Sequence, residues 1–259
     1  MDNHFIDNYL MYILVIILLL LVVIYVYKKS SKNILVTQYY IPKWDERKNE
    51  INECLINNLQ NPLLDEIHLF VEKEYDFSWI QSEPNFYKIK LIPTDKRLSY
   101  KTAIDHSNNL SDHVLSRDNK FILANSDIYF DESLSFLDSL DINNTFLALT
   151  RHEIKDEGLE LYERPSVSQD VWIWKSKLDI KNIPENEDYF NDGIELGIWG
   201  CDNRILKIVS DSGYKIRNIG KNIRCIHNHK NDLRTWATNP NEVKKRYWSP
   251  GKFVYLDCE

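Results

Sequence analysis

Tyr9 to Tyr27, YLMYILVIILLLLVVIYVY, contains no charged residue and no Gly, Pro, Asn or Gln. The run is about 19 residues, which as a helix of roughly 1.5 Å per residue is about 28 Å long, close to the thickness of a bilayer's hydrocarbon core. Tyr9, Tyr12, Tyr25 and Tyr27 stand near its ends, where amphipathic rings favour the membrane interface. A cleaved signal peptide would need a basic start and a small-residue cleavage site. The chain instead shows Asp2 and Asp7 before the run and Lys28-Lys29-Ser30-Ser31-Lys32 after it. A buried helix of a soluble domain would leave some face polar, and none is. The sequence therefore predicts one retained N-terminal transmembrane helix. The charge asymmetry predicts an outside N-terminus and a cytosolic body. The expected division is a short tail (1–8), the membrane helix (9–27), a basic juxtamembrane linker (28–33) and one body (34–259).

The whole chain is 259 residues with a net charge of −7. That balance argues against a nucleic-acid partner, which selects for a basic face. Seven Trp, fifteen Tyr and ten Phe are the aromatic content of a packed core rather than a disordered chain. Cys54, Cys201, Cys225 and Cys258 form no CxxC and no regular spacing, so neither a zinc ribbon nor a disulfide framework is expected.

Within the body, β-like runs alternate with helical ones. Ile34–Tyr40, Ile67–Val71, Tyr87–Ile92, Phe121–Ala124, Thr145–Leu149 and Val171–Trp174 read as strands, the first stopped by Pro42. Asp45–Leu59, with Ile51, Leu55, Ile56 and Leu59 at helical spacing, reads as an amphipathic helix. Leu98–Asn108 and Asn203–Ser212 are further helices. This alternation predicts an α/β sheet with helices on both faces. Ligands of such sheets sit beyond the carboxyl ends of the strands, which directs attention to Thr37–Tyr40, Glu72, Pro93–Arg97 and Asn125–Asp127. Neither GxGxxG nor GxxxxGK[ST] occurs, so a dinucleotide fold or P-loop is unsupported.

In Phe121-Ile122-Leu123-Ala124-Asn125-Ser126-Asp127 an apolar strand runs directly into a polar cluster. A hard divalent cation takes one or two carboxylates plus substrate phosphates, and an Asp at a strand end supplies such a partial shell. The same residues also suit a turn in which Asn125 and Asp127 cap backbone groups. Ser168-Gln169-Asp170 precedes an aromatic strand, and Gly200-Cys201-Asp202-Asn203-Arg204 opens a helix. Asp202 is either an N-cap or a general base facing the cleft. Ile226-His227-Asn228-His229, with Arg234 soon after, offers imidazoles for a metal, for a phosphate, or for a structural role.

The segments Asn125-Ser126-Asp127-Ile128-Tyr129-Phe130, Ser168-Gln169-Asp170-Val171-Trp172 and Gly200-Cys201-Asp202-Asn203-Arg204, closing with His227-Asn228-His229, together resemble the GT-A-type glycosyltransferases. The likeness runs from about Ile34 to Arg234 and is greatest to a group found in bacteria and large DNA viruses. It implies a GT-A-like, Rossmann-like mixed sheet flanked by helices. It also implies transfer of a sugar from a UDP- or GDP-sugar to a glycan, glycoconjugate or other hydroxyl acceptor, assisted by Mn²⁺ or Mg²⁺. By that resemblance Asp127 takes the role of the last Asp of a DxD motif, and Asn125 stands where the first is expected. His229 or His227 becomes the late metal or phosphate contact. Thr37 and Glu72 join the nucleotide pocket, Asp95 and Arg97 lie near the diphosphate, and Ser126 falls within the donor site. Asp202 becomes the acceptor base, Asp170 faces the donor sugar or the acceptor, and Trp172 and Trp199 are candidates to stack on sugar rings. A sugar-phosphate nucleotidyltransferase is the nearest alternative, although Val36–Trp44 lacks the Gly-rich phosphate loop it would usually show. A non-catalytic descendant that binds glycans or scaffolds partners is the other.

Overall fold

Strands whose apolar residues run without alternation belong in the middle of a sheet covered on both sides, and that is where they lie. A computed structural model describes residues 3–112, 118–180, 194–198, 200–230 and 254–259, and within the first helix the side chains of 10–23 only. The strands are β1 (Asn33–Tyr39), β2 (Glu66–Val71), β3 (Ile89–Pro93), β4 (Lys120–Ala124), β5 (Ile128–Phe130), β6 (Thr145–Leu149), β7 (Arg151–Lys155), β8 (Gly158–Leu161), β9 (Val171–Lys175), β10 (Lys215–Arg217) and β11 (Cys225–His227). The helices are α1 (Asn3–Ser30), α2 (Asp45–Gln60), α3 (Tyr100–Ser111) and α4 (Cys201–Asp211).

Seven strands form the main sheet in the order β10-β6-β9-β4-β1-β2-β3. All are parallel except β9, which runs against both β4 and β6. Successive β1 residues alternate faces, so Ile34 and Val36 join one buried cluster while Leu35 joins the other. The first cluster packs α3 (Ala103, Ile104) and α4 (Ile205, Leu206, Val209) against Phe121, Phe146, Trp172 and Trp174. The second packs α2 through Ile51, Leu55 and Leu59. The expected mixed sheet with helices on both faces is thus present. Trp172 is fully buried edge-on to Tyr100 at 4.8 Å between ring centroids, so it is a core residue rather than a sugar platform. Trp174 stacks between Phe121 and Phe146, and its Nε1 donates to Ser107 Oγ at 3.2 Å.

The body departs from a single sheet. A second, four-stranded sheet, β5-β11-β7-β8, grows from the carboxyl ends of β4 and β6. A few boundaries also shift: a 3-10 turn at Phe86–Lys88 displaces the start of the third strand to Ile89. All four cysteines are free, three of them buried, in keeping with the absence of a disulfide framework.

α1 contains the whole apolar run, and every side chain from Leu10 to Val23 is exposed. Among the described residues no helix is long and apolar enough to cross a membrane, so the transmembrane helix expected over 9–27 is not found among them. The link from α1 to β1 is short and bonded to the body. Ser31 Oγ donates to Asp118 O at 2.7 Å, Lys32 N to Asn119 Oδ1 at 2.9 Å, and Lys120 N to Lys32 O at 2.8 Å.

Candidate active site

The carboxyl ends of β1, β2 and β4 open onto a cavity of about 410 Å³, the position where parallel α/β sheets place ligands. Eight of the residues singled out from the sequence line it: Glu72, Arg97, Asn125, Ser126, Asp127, Asp170, His227 and His229. Thr37, Asp95 and Asp202 do not. Thr37 is buried below the cavity, where its Oγ1 donates to Ala124 O at 2.9 Å and ties β1 to β4. Asp95 is exposed on the loop after β3, away from the cavity wall. Neither Thr37, expected in the nucleotide pocket, nor Asp95, expected near the diphosphate, is on the wall of this cavity. Trp199 and Arg234 lie outside the described residues.

The β4–β5 turn sets the floor of the site. Its backbone is pinned from two sides: Asn125 N donates to Asp170 O at 3.2 Å, and Asn228 N to Asp127 O at 2.9 Å. Asp127 is buried, and its Oδ2 accepts from the Arg47 guanidinium of α2 and from His227 Nε2, the latter at 3.2 Å. Burial alone would raise this carboxyl; His227 and Arg47 hold it well below the usual carboxylate range. The partner ring responds in the opposite sense. Burial pulls His227 down, but Asp127 and Glu153 outweigh it and hold the imidazolium up to about 9. Glu153 faces His227 Nδ1 at 3.3 Å. It is held down at about 2 by its bonds from His227 and Arg151, against the opposing effect of burial.

His229 stacks on His227 with ring centroids 5.2 Å apart and nearly parallel planes. Asp127, His227 and His229 each bring one donor atom within 4.8 Å of the others, a grouping able to hold a metal ion. The donor set fits such an ion. Glu153 behind His227 is the carboxylate–imidazole support typical of a ligating histidine. The Nε2 of His229 is buried without a hydrogen-bond partner. Two imidazoles beside one carboxylate suit a borderline ion better than Mg²⁺, which prefers oxygen donors.

Asp170 is held from both ends. Asn125 Nδ2 donates to its Oδ1 at 2.8 Å and Arg151 Nη1 to its Oδ2 at 3.0 Å. Arg151 also donates to Glu153 at 2.6 Å and lies 4.0 Å over the Tyr162 ring. With both oxygens engaged, Asp170 is a fixed acceptor more than a free base. Arg97 reaches the cavity by passing close to Gly197, where a Cβ would meet its Nη2 at 3.0 Å. Gly197 has φ +68°, a conformation glycine adopts without strain.

Asp202 sits in the first turn of α4, two residues beyond the N-cap, which is Gly200. Its Oδ2 accepts from Gln169 N at 3.3 Å and its Oδ1 from Asn203 N at 3.0 Å. Burial lifts its carboxyl to about 7, and repulsion from Asp170 adds to that; the backbone donors offset only part. A carboxylate that titrates near neutrality is poised to take a proton.

Four charged residues of this site escape sequence reasoning: Arg47 and Glu50 on α2, and Arg151 and Glu153 on β7. Arg47 and Glu50 fall in the run DERKNE, which reads as a solvated helix start; only the tertiary contact buries them. The β7 pair carries no signal until the second sheet is seen.

No family model matches the sequence, and no curated protein matches it. Among solved structures, the chain is similar to residues 1–349 of S. aureus TarS in complex with UDP-GlcNAc. The identity is 11%, with 83% of this chain and 64% of that one covered and a TM-score of 0.52. The mannosyltransferase PcManGT from Pyrobaculum calidifontis in complex with GDP-Man and Mn²⁺ matches at 11% identity, over 82% and 65% of the two chains, with a TM-score of 0.46. A 4-diphosphocytidyl-2C-methyl-D-erythritol synthase matches at 13%, over 82% and 95%, with a TM-score of 0.42. The last two are too distant to carry weight. The first shows a fold shared with that TarS fragment, and the chain spans 64% of its length.

Proposed function

We propose that the chain is a membrane-anchored glycosyltransferase that moves a sugar from a nucleotide-sugar donor to a hydroxyl acceptor. The observation that carries this reading is the Asp127, His227 and His229 cluster opening onto the cavity at the strand ends of a GT-A fold. A divalent cation bound there, best matched by Mn²⁺, would supply positive charge against a departing diphosphate. Arg97, on the same cavity wall, offers a second cationic contact to those oxygens. Asn125 and Arg151 fix Asp170 so that it can accept hydrogen bonds from a sugar hydroxyl without reorienting. Asp202 takes the proton of the attacking hydroxyl, and because it stands off the cavity wall the acceptor must extend beyond that lining to reach it.

Calorimetry with UDP and with GDP, each with and without Mn²⁺, tests the donor assignment. Binding of one nucleotide that depends on Mn²⁺ is expected. If neither binds in the presence of the metal, the enzymatic reading fails and a non-catalytic role takes its place.

Anchoring rests on the exposed apolar wall of α1 and on the lysines that follow it. Positive charge on that side favours a cytosolic body. Removing residues 1–30 should move the protein from the membrane fraction to the soluble fraction. A truncated protein that still pellets with membranes after a high-salt wash would contradict the anchor.

A further inference from the structure

Arg47 contacts two of the three residues that a cation at this site would need. Its Nη2 donates to Asp127 Oδ2, its Nη1 contacts His229 Nδ1 at 2.6 Å, and the same nitrogen donates to Glu50 Oε2 at 2.9 Å. Guanidinium has only donors, so His229 Nδ1 must accept, and its proton therefore sits on Nε2. That Nε2 is the buried atom with no partner. The geometry thus commits Asp127 Oδ2 and His229 Nδ1 to Arg47 and leaves His229 in a tautomer that its surroundings do not satisfy. Arginine stays charged at any working pH, so it cannot yield by losing a proton. It can only move, and it lines the cavity into which it would move.

We propose that Arg47 is a resident counter-cation that keeps the Asp127, His227 and His229 cluster in a metal-free arrangement, and that a divalent ion binds only by displacing it. This rests on the reading of that cluster as a metal site, and it adds what that reading lacks: a residue of the chain that sets how tightly the metal is held. Two opposing requirements follow from one side chain. Arg47 neutralises Asp127 when no metal is present, and it repels and excludes the metal from the same oxygen. Arg47 is then a positioning residue, acting through the ligands rather than on the reacting atoms.

The test uses Mn²⁺ alone with the full-length protein in detergent, reading free Mn²⁺ by electron paramagnetic resonance, so that no turnover is needed. Arg47→Ala should bind Mn²⁺ at least about tenfold tighter than wild type, because the competing charge is gone. Arg47→Gln, which keeps most of the volume and a donor while losing the charge, should do the same and serves if the alanine variant fails to fold. Arg47→Lys, which keeps the charge, should bind no tighter than wild type. Unchanged or weaker Mn²⁺ binding in both neutral variants overturns the proposal. Asp127→Ala, titrated alongside, separates the two ideas. If it abolishes Mn²⁺ binding while the neutral Arg47 variants show no gain, the metal site stands and the role of Arg47 falls. If no protein binds Mn²⁺, or if Asp127→Ala binds as wild type does, both fall.

Discussion

Asp127→Ala will abolish Mn²⁺-dependent binding of the nucleotide, and it will weaken the fold as well. The carboxylate is the one oxygen donor of the candidate metal cluster, so its removal leaves two stacked imidazoles with neither the oxygen nor the negative charge that Mn²⁺ favours. The structural effect has a separate cause. Arg47 and Asp127 have side chains only 9% and 11% exposed, and breaking a buried pair by deleting one member costs about 3–5 kcal/mol. Glu50 remains beside Arg47 at 2.9 Å, which places the expected loss toward the lower end. His227 loses the same partner, and the imidazolium that Asp127 sustained will titrate nearer its ordinary range. Calorimetry with UDP or GDP and Mn²⁺ reads the first effect, and denaturant unfolding without metal reads the second. A variant that binds nucleotide and Mn²⁺ as wild type does would remove Asp127 from the donor site.

Asp202→Asn should spare donor binding and lower transfer by about 10²–10⁴-fold, the usual contribution of a general base. The amide keeps the volume, and its single oxygen can still accept from Gln169 N or from Asn203 N but not from both, so the helix start should persist at some cost in stability. The wild-type pH profile carries the same assignment. A base must be unprotonated to act, and this carboxyl titrates near 7 because it is buried and faces Asp170. Transfer should therefore rise as pH passes through about 7, instead of levelling off near 4 as an exposed aspartate would require. Stability should run the other way. The folded state holds this proton more tightly than the unfolded chain, so the group's contribution is full below the unfolded value of about 4 and is lost as pH rises to about 7. Full transfer by the asparagine variant would remove Asp202 from the role of base.

How much of this was legible in the sequence depended on how far each signal was local. The long apolar strands announced themselves because both faces are covered, and Ile34 through Tyr39 needs no polar alternation. The turn at Asn125–Asp127 was visible for the same reason, as the abrupt end of such a run. The second sheet was not. β7 and β8, RHEIK and GLEL, are short and half exposed, and what joins their hairpin to the sheet is the pairing of β7 with β11, more than 70 residues away. Arg47 and Arg151 were hidden behind ordinary helix and loop composition; only long-range contacts make them buried. Thr37 and Asp95 stand off the cavity wall for a different reason. Each stands near a strand end, but proximity along the chain does not decide which way a side chain points, and a strand reverses that direction at every residue.

The two-residue connection between α1 and β1 has a mechanical consequence. Ser31 and Lys32 are bonded to Asp118, Asn119 and Lys120, so the segment that follows the helix is itself tied to the body. The connection enters at the amino end of β1, whereas the cavity opens at the other end. Seven residues at roughly 3.3 Å each put the reacting groups about 23 Å along the strand from the point of attachment. On the anchored reading, a strand length set by the sheet separates the chemistry from the point of attachment, and an acceptor must bring its hydroxyl within that reach.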